Sequence, residues 1–233
     1  MDAKPGHEIK VDADPPYDHA PYRSSILRHP KHPLLVLPHG PTERHGPVFA
    51  DRRIDPLDAD LTRQHAGEPL GERIIVSGQV TDGAGRPITG QLVEVWQANA
   101  AGRYAHKNDQ HPAPLDPNFT GAGRCLTGSD GSYQFVTVMP GAYPWKNHPN
   151  AWRPAHIHFS LFGRAFTERL VTQMYFPGDP LFGFDPIFTS VSESARSRLI
   201  STFEMETTVE EWALSFRFDM VVGGHLGTPL LAG

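Results

Sequence analysis

The chain has 233 residues, 39% of them hydrophobic and 20% charged, with a formal net charge of -5. This balance excludes a disordered tail and a membrane bundle, and it provides no bulk basic surface for a nucleic acid. One cysteine excludes an internal disulfide framework, 22 Gly and 23 Pro break long helices, and 13 His invite a search for a metal site. No segment reaches the roughly 18 apolar residues of a membrane-spanning helix. The first residues carry no apolar run of signal-peptide type, so a cytoplasmic protein is expected.

In chain order, residues 1–71 read as a long irregular extension. The prolines in PP, HPKHP and HGPTERHGP stand too close together for a helix. The run Leu34-Leu35-Val36-Leu37 reads as a short strand or a packed arm. An ordered loop of this length needs a surface to lie on, either its own core or a partner. Residues 72–233 read as one domain. It begins with the β-rich ERIIVSGQV and the turn DGAGRP. In QLVEVWQ, Val93 and Val95 share one face of a strand, and Leu92, Glu94 and Trp96 share the other. GRCLT, with Cys125, reads as a loop. DGSYQFVTVMPG is a strand opened by Asp130-Gly131 and closed by Pro140-Gly141. AHIHFSLFG alternates cleanly, and ERLVTQMYF and EWALSFRFDMVV are further strands. Only SVSESARSRLIST, residues 190–202, reads as a helix. The expected fold is all-β: a β-sandwich core with a long irregular N-terminal extension and one short helix.

The segment richest in chemistry is Arg153-Pro154-Ala155-His156-Ile157-His158-Phe159. Residues i and i+2 of a strand share a face, so His156 and His158 point together while Ala155, Ile157 and Phe159 point into apolar packing. Two imidazoles on one strand can hold a metal; two histidines on a wet strand face give the same pattern. Zinc would call for cysteine, a third histidine or a carboxylate. A ferrous site would call for a carboxylate, and Asp130 reads as a turn residue. Nearby in sequence are Tyr104 in AGRYAHKND and Tyr143 in PGAYPWKN. Either also suits an ordinary core or interface position.

The strings VEVWQANAAGRYAHKND, PLDPNF, GRCLTGSDGSYQF, PGAYPW and WRPAHIHF resemble the intradiol ring-cleaving dioxygenases, from about Pro21 to Val222. They most resemble the iron-bearing beta subunits of the two-chain members that act on protocatechuate (3,4-dihydroxybenzoate). The resemblance implies one mononuclear Fe(III) per chain, held by Tyr104, Tyr143, His156 and His158. High metal charge favours the phenolate form of tyrosine. By the same resemblance Tyr143 is the ligand that departs when the catechol chelates, and Tyr104 stays. Arg153 is implied to offset negative charge on the reacting ring, and Gln173 to orient a ligand. Tyr22, Arg28, Trp145 and Ile187 are implied to line the substrate pocket. Trp96 is near the iron or simply core, and Cys125 has no catalytic role. The implied reaction is cleavage by dioxygen to 3-carboxy-cis,cis-muconate in aromatic catabolism. The implied partner is a homologous alpha subunit, in several alpha–beta units, with no nucleic acid or membrane partner. The alternatives are a catechol or hydroxyquinol enzyme, or a non-catalytic β-sandwich partner subunit. The former relatives usually add an N-terminal helical domain, which residues 1–71 do not suggest.

Overall fold

The structure, a computed structural model, describes residues 13–33, 54–162 and 170–231. The run Leu34–Leu37 lies outside them. Among the described residues the chain folds into two main sheets packed face to face. The first is built on β1 (Arg73–Asp82), which pairs antiparallel with β4 (Ser132–Val138). The opposite edge of β1 runs parallel to β10 (Leu214–Arg217) and then β11 (Met220–Val222), and β9 (Thr202–Phe203) flanks β10. The second sheet has the order β3 (Ala122–Leu126), β2 (Leu92–Gln97), β7 (His156–Phe162), β8 (Leu170–Tyr175), antiparallel throughout. A small hairpin of β5 (Tyr143–Pro144) and β6 (Trp152–Arg153) stands apart from both.

Period two builds the core. Val76, Phe135 and Phe216 of the first sheet meet Val93, Val95 and Phe159 of the second. Each such side chain, fully buried, contributes about 1.5–3 kcal/mol. Leu61, upstream of β1, is fully buried in the same core. A second apolar cluster packs Tyr175 against Ile187, Phe188 and Leu199, and Ala13 joins it. The described part of the N-terminal segment is tied down further along. Arg23 N donates to Asn147 Oδ1 at 2.8 Å, and Asn147 Nδ2 donates to Pro21 O at 2.7 Å.

The all-β reading holds, with three local differences. The helix expected over residues 190–202 is instead α2 (Pro186–Ser190), α3 (Glu193–Arg196) and a 3-10 turn Ser197–Leu199. Asp185-Pro186 opens α2 early: the Asp185 side chain accepts from Ile187 N, and proline suits the first helical position. Val191 is extended (ψ 141°) and breaks the run, and Thr202 already belongs to β9. Further short helical pieces are α1 (Ser25–Arg28) and 3-10 turns at Pro56–Ala59 and Phe182–Phe184. EWALSFRFDMVV is two strands, because Phe218 and Asp219 leave the β1 ladder between β10 and β11. There Phe218 N donates to Ser77 O at 2.8 Å and Asp219 Oδ1 accepts from Gln79 N at 2.8 Å. Gly78 is required at this approach, since a β-carbon would collide with the Phe218 carbonyl. GRCLT is the edge strand β3 rather than a loop, and Cys125 sits opposite Val93. No helix among the described residues is long and apolar enough to cross a membrane.

Candidate functional site

β7 runs between β2 and β8, and this register assembles the site. His158 lies opposite Trp96 on β2 and Gln173 on β8, and His156 lies opposite Tyr175. On the other face of β7, Ile157 and Phe159 enter the core as expected. Trp96 stacks on His158 with ring centroids 4.8 Å apart and planes 5° from parallel, so it borders the site. The His156 and His158 rings are 4.9 Å apart.

The tyrosines arrive on turns. After β2, Asn99 Oδ1 accepts from Ala101 N (3.0 Å) and Arg103 N (2.9 Å), and Asp109 Oδ2 accepts from Tyr104 N at 2.8 Å. Gly102, at φ 77°, lets this turn press on Ala142, the residue before Tyr143. Tyr143 on β5 faces Arg153 on β6 across the hairpin. The Tyr104 hydroxyl lies 3.2 Å from His158 Nε2, and the Tyr143 hydroxyl lies 3.3 Å from His156 Nε2. The two phenol rings meet edge to face at 5.3 Å.

The protonation pattern follows from the partners. His156 Nδ1 donates to Pro154 O at 2.7 Å, which leaves Nε2 as a bare acceptor toward Tyr143 and Arg153. Burial, with the Arg153 charge beside it, holds His156 well below the usual imidazole range. Burial and the same arginine bring His158 down to about 3. Both rings are therefore neutral and able to ligate. Burial, and next the Tyr143 oxygen, push the Tyr104 phenol well up. Without a cation the phenol keeps its proton; a highly charged cation between the rings would reverse that preference.

This donor set of two imidazole nitrogens and two phenol oxygens, the histidines buried and the tyrosines half-buried, fits a hard ferric ion. Among the described residues no three of His, Cys, Asp and Glu gather, so a zinc-type set is not assembled there. Cys125 is remote from the cluster on β3, and burial pushes its thiol up to about 12. Asp130 is a turn residue whose Oδ1 accepts from Ser132 N at 3.0 Å.

Arg153 is 3% exposed and stands against the cluster. Its NH1 donates to His156 Nε2 (3.0 Å) and Tyr143 OH (3.3 Å), and its NH2 donates to Gln173 Oε1 (2.5 Å). Arg153 also lies 5.5 Å from the Trp145 ring, Trp145 is 5.3 Å from Tyr22, and Arg28 caps Tyr22 at 4.9 Å. Ile187, on α2, is buried in the cluster against which Tyr22 and Trp145 pack. The four expected pocket residues thus form one connected patch beside Arg153. Two residues of the site were not anticipated. Asp185 pairs with Arg153 at 2.9 Å, and the Tyr175 hydroxyl lies 2.9 Å from Gln173 Oε1. The only sequence signal for Asp185 is its place before a proline that opens a helix. A surface groove of about 490 Å³ over β2 and β3 touches this site only through Trp96.

The fold and the sequence both have relatives. The family model described as "Dioxygenase" matches residues 44–224, and that described as "Protocatechuate 3,4-dioxygenase beta subunit N terminal" matches residues 12–40. The chain is 58% identical to the protocatechuate 3,4-dioxygenase beta chain of Burkholderia cepacia, over 93% of each chain. It is 27% identical to the protocatechuate 3,4-dioxygenase alpha chain of Pseudomonas putida, over 83% of this chain and 96% of that one. The crystal structure of 3-chlorocatechol 1,2-dioxygenase from Rhodococcus opacus superposes with a TM-score of 0.56 at 25% identity, covering 76% of this chain and 69% of that one. A sandwich with this topology and matches over this much of its length place the chain in a family: it belongs to the intradiol ring-cleaving dioxygenases.

Proposed function

We propose that this chain is the iron-bearing catalytic subunit of an assembly that cleaves protocatechuate between its two hydroxylated carbons with dioxygen. The product is 3-carboxy-cis,cis-muconate. The observation that carries this reading is the convergence of Tyr104, Tyr143, His156 and His158, with phenol–imidazole contacts of 3.2 and 3.3 Å beside a buried arginine. One ferric ion per chain is held by these four residues. When bound there it supplies Lewis acidity, keeping catechol and phenol oxygens deprotonated and the ring electron-rich toward dioxygen.

The remaining work falls to the chain's own groups. His156 and His158 supply neutral nitrogens fixed by the β7 ladder. Tyr143 Oη takes a proton from one substrate hydroxyl, while Tyr104 is kept in place by the Asn99 and Asp109 hydrogen bonds. Arg153 NH1 holds a fixed positive charge beside the ring as that ring becomes negative. A preorganised donor of this kind is worth about 3–4 kcal/mol. Burial of His156, Arg153 and Gln173 keeps water away from the reacting face. Arg28, Tyr22 and Trp145 form the side of the pocket suited to the ring carboxylate.

A homologous alpha chain completes the pocket, in several alpha–beta units. Support comes from the strong likeness to a protein named a beta chain and the weaker likeness to one named an alpha chain. We place the assembly in the cytoplasm, where the free thiol of Cys125 stays reduced. The test is co-production with a homologous alpha chain, iron analysis, and oxygen uptake with protocatechuate, catechol and hydroxyquinol. Preferred turnover of protocatechuate, with 3-carboxy-cis,cis-muconate as product, is expected. Preference for catechol, or full turnover by this chain alone, overturns the substrate and partner assignments respectively.

A further inference from the structure

Asp185 is 0% exposed, and its two oxygens have separate tasks. Oδ1 accepts from Ile187 N at 3.0 Å, which caps α2 and stops the carboxylate from rotating. Oδ2 accepts from Arg153 NH2 at 2.9 Å and Nε at 3.3 Å, and lies 3.1 Å from the Tyr175 hydroxyl. One edge of the guanidinium is thereby clamped away from the site, and NH1 is left facing Tyr143 and His156.

The same arrangement fixes an amide. Gln173 Oε1 receives Arg153 NH2 at 2.5 Å and the Tyr175 hydroxyl at 2.9 Å. With its oxygen held by two donors, the amide cannot turn over, and Gln173 Nε2 is left buried with no partner among the described residues. A buried donor without an acceptor is costly and is tolerated where a ligand brings the acceptor. Gln173 stands on β8 directly opposite His158, on the face that carries the candidate ligands.

We infer that Asp185 and Tyr175 are positioning residues, which hold Arg153 and Gln173 so that the N–H groups of both face the bound substrate and the negative charge it gains. This rests on the proposed function above. A purely structural role for Asp185 is insufficient, because the helix cap needs only an uncharged oxygen that asparagine also supplies. The acid is needed for the guanidinium, and the Tyr175 hydroxyl, whose one hydrogen goes to Gln173 Oε1, serves the amide.

The test uses the iron-loaded alpha–beta assembly with Asp185→Asn, Tyr175→Phe, Arg153→Ser and the double variant Arg153→Ser/Asp185→Asn. Iron content, thermal melting, anaerobic binding of protocatechuate by absorbance, and turnover are measured on each. Asp185→Asn is expected to keep its iron and bind protocatechuate within about threefold of wild type, while turnover falls roughly 10- to 100-fold. The double variant should be no slower than Arg153→Ser alone, since both changes remove one device. Asp185→Asn turnover within about twofold of wild type, or full additivity in the double variant, overturns the inference. Should Asp185→Asn lose iron or unfold, Tyr175→Phe decides, because it preserves the Asp185–Arg153 pair. It should lose about fivefold or more in turnover with iron intact, and a loss under about twofold overturns the inference. Wild type that ignores protocatechuate but cleaves catechol refutes the substrate assignment alone, and the same comparison on catechol then decides the role of Asp185.

Discussion

β7 is hydrogen-bonded along both edges, to β2 and β8, whereas the hairpin of β5 and β6 has two residues in each strand. His156 and His158 stand on the first support. Tyr143 stands on the second, and Tyr104 on a turn held by Asn99 and Asp109. Displacing either histidine would also disturb Ile157 and Phe159, which fill the core from the same strand. Displacing Tyr143 disturbs its contacts with Arg153, His156 and the Tyr104 ring, but no residue of the sandwich core. The unequal supports suit the tasks proposed for His156, His158 and Tyr143: two ligands that stay on a doubly bonded strand, and one on a short hairpin that exchanges with a substrate oxygen.

Substitutions on the two supports should separate these tasks. His158→Ala removes a proposed ligand that no substrate atom replaces, so the purified assembly should contain no stoichiometric iron and show no turnover. Circular dichroism should remain that of a folded β-protein. On the opposite face of β7, Phe159→Ala should cost about 3–5 kcal/mol of stability, seen in chemical denaturation. The folded fraction should still carry its iron, and iron loss without loss of stability would break the contrast between the two faces. Arg153→Ser, on the hairpin, should keep iron and lower turnover roughly 100- to 1000-fold. Tyr143→Phe should also keep iron but slow anaerobic formation of the chelated protocatechuate complex by roughly 100-fold or more, as expected for loss of a general base. An unchanged binding phase in rapid-mixing absorbance would remove Tyr143 from the exchanging role. Cys125→Ala should be nearly silent in turnover. Burial pushes this thiol up to about 12, so it stays neutral and unreactive at neutral pH, and thiolate forms only as pH rises toward that value. Rapid modification by a thiol reagent near neutral pH would contradict that placement.

Alternation made β7 readable from its sequence, because one face had to be apolar and the other had to be explained. The family resemblance then supplied Tyr104, Tyr143, Arg153 and Gln173, whose separate contexts give no geometric reason for meeting. β3 was obscured because an edge strand with Gly123 and Arg124 lacks the branched, apolar signature of a central one. The split between β10 and β11 depends on the approach of Phe218 to Gly78, a contact 140 residues apart in the chain that no local pattern announces. Asp185 was hidden for the same reason. A carboxylate before proline reads as a helix cap, and its second role exists only once Arg153, 32 residues earlier, is folded against it. Breaking such a buried pair from one side typically costs about 3–5 kcal/mol.

The account depends most on the two phenols sharing one ferric ion with the two histidines. A resonance Raman spectrum of the iron-loaded assembly, excited in its visible absorption band, tests this directly. The account predicts enhanced tyrosinate ring vibrations from two iron-bound phenolates, with one set missing in Tyr143→Phe. An iron-loaded, active assembly without tyrosinate vibrations, or a colourless one whose activity follows zinc content, would contradict it.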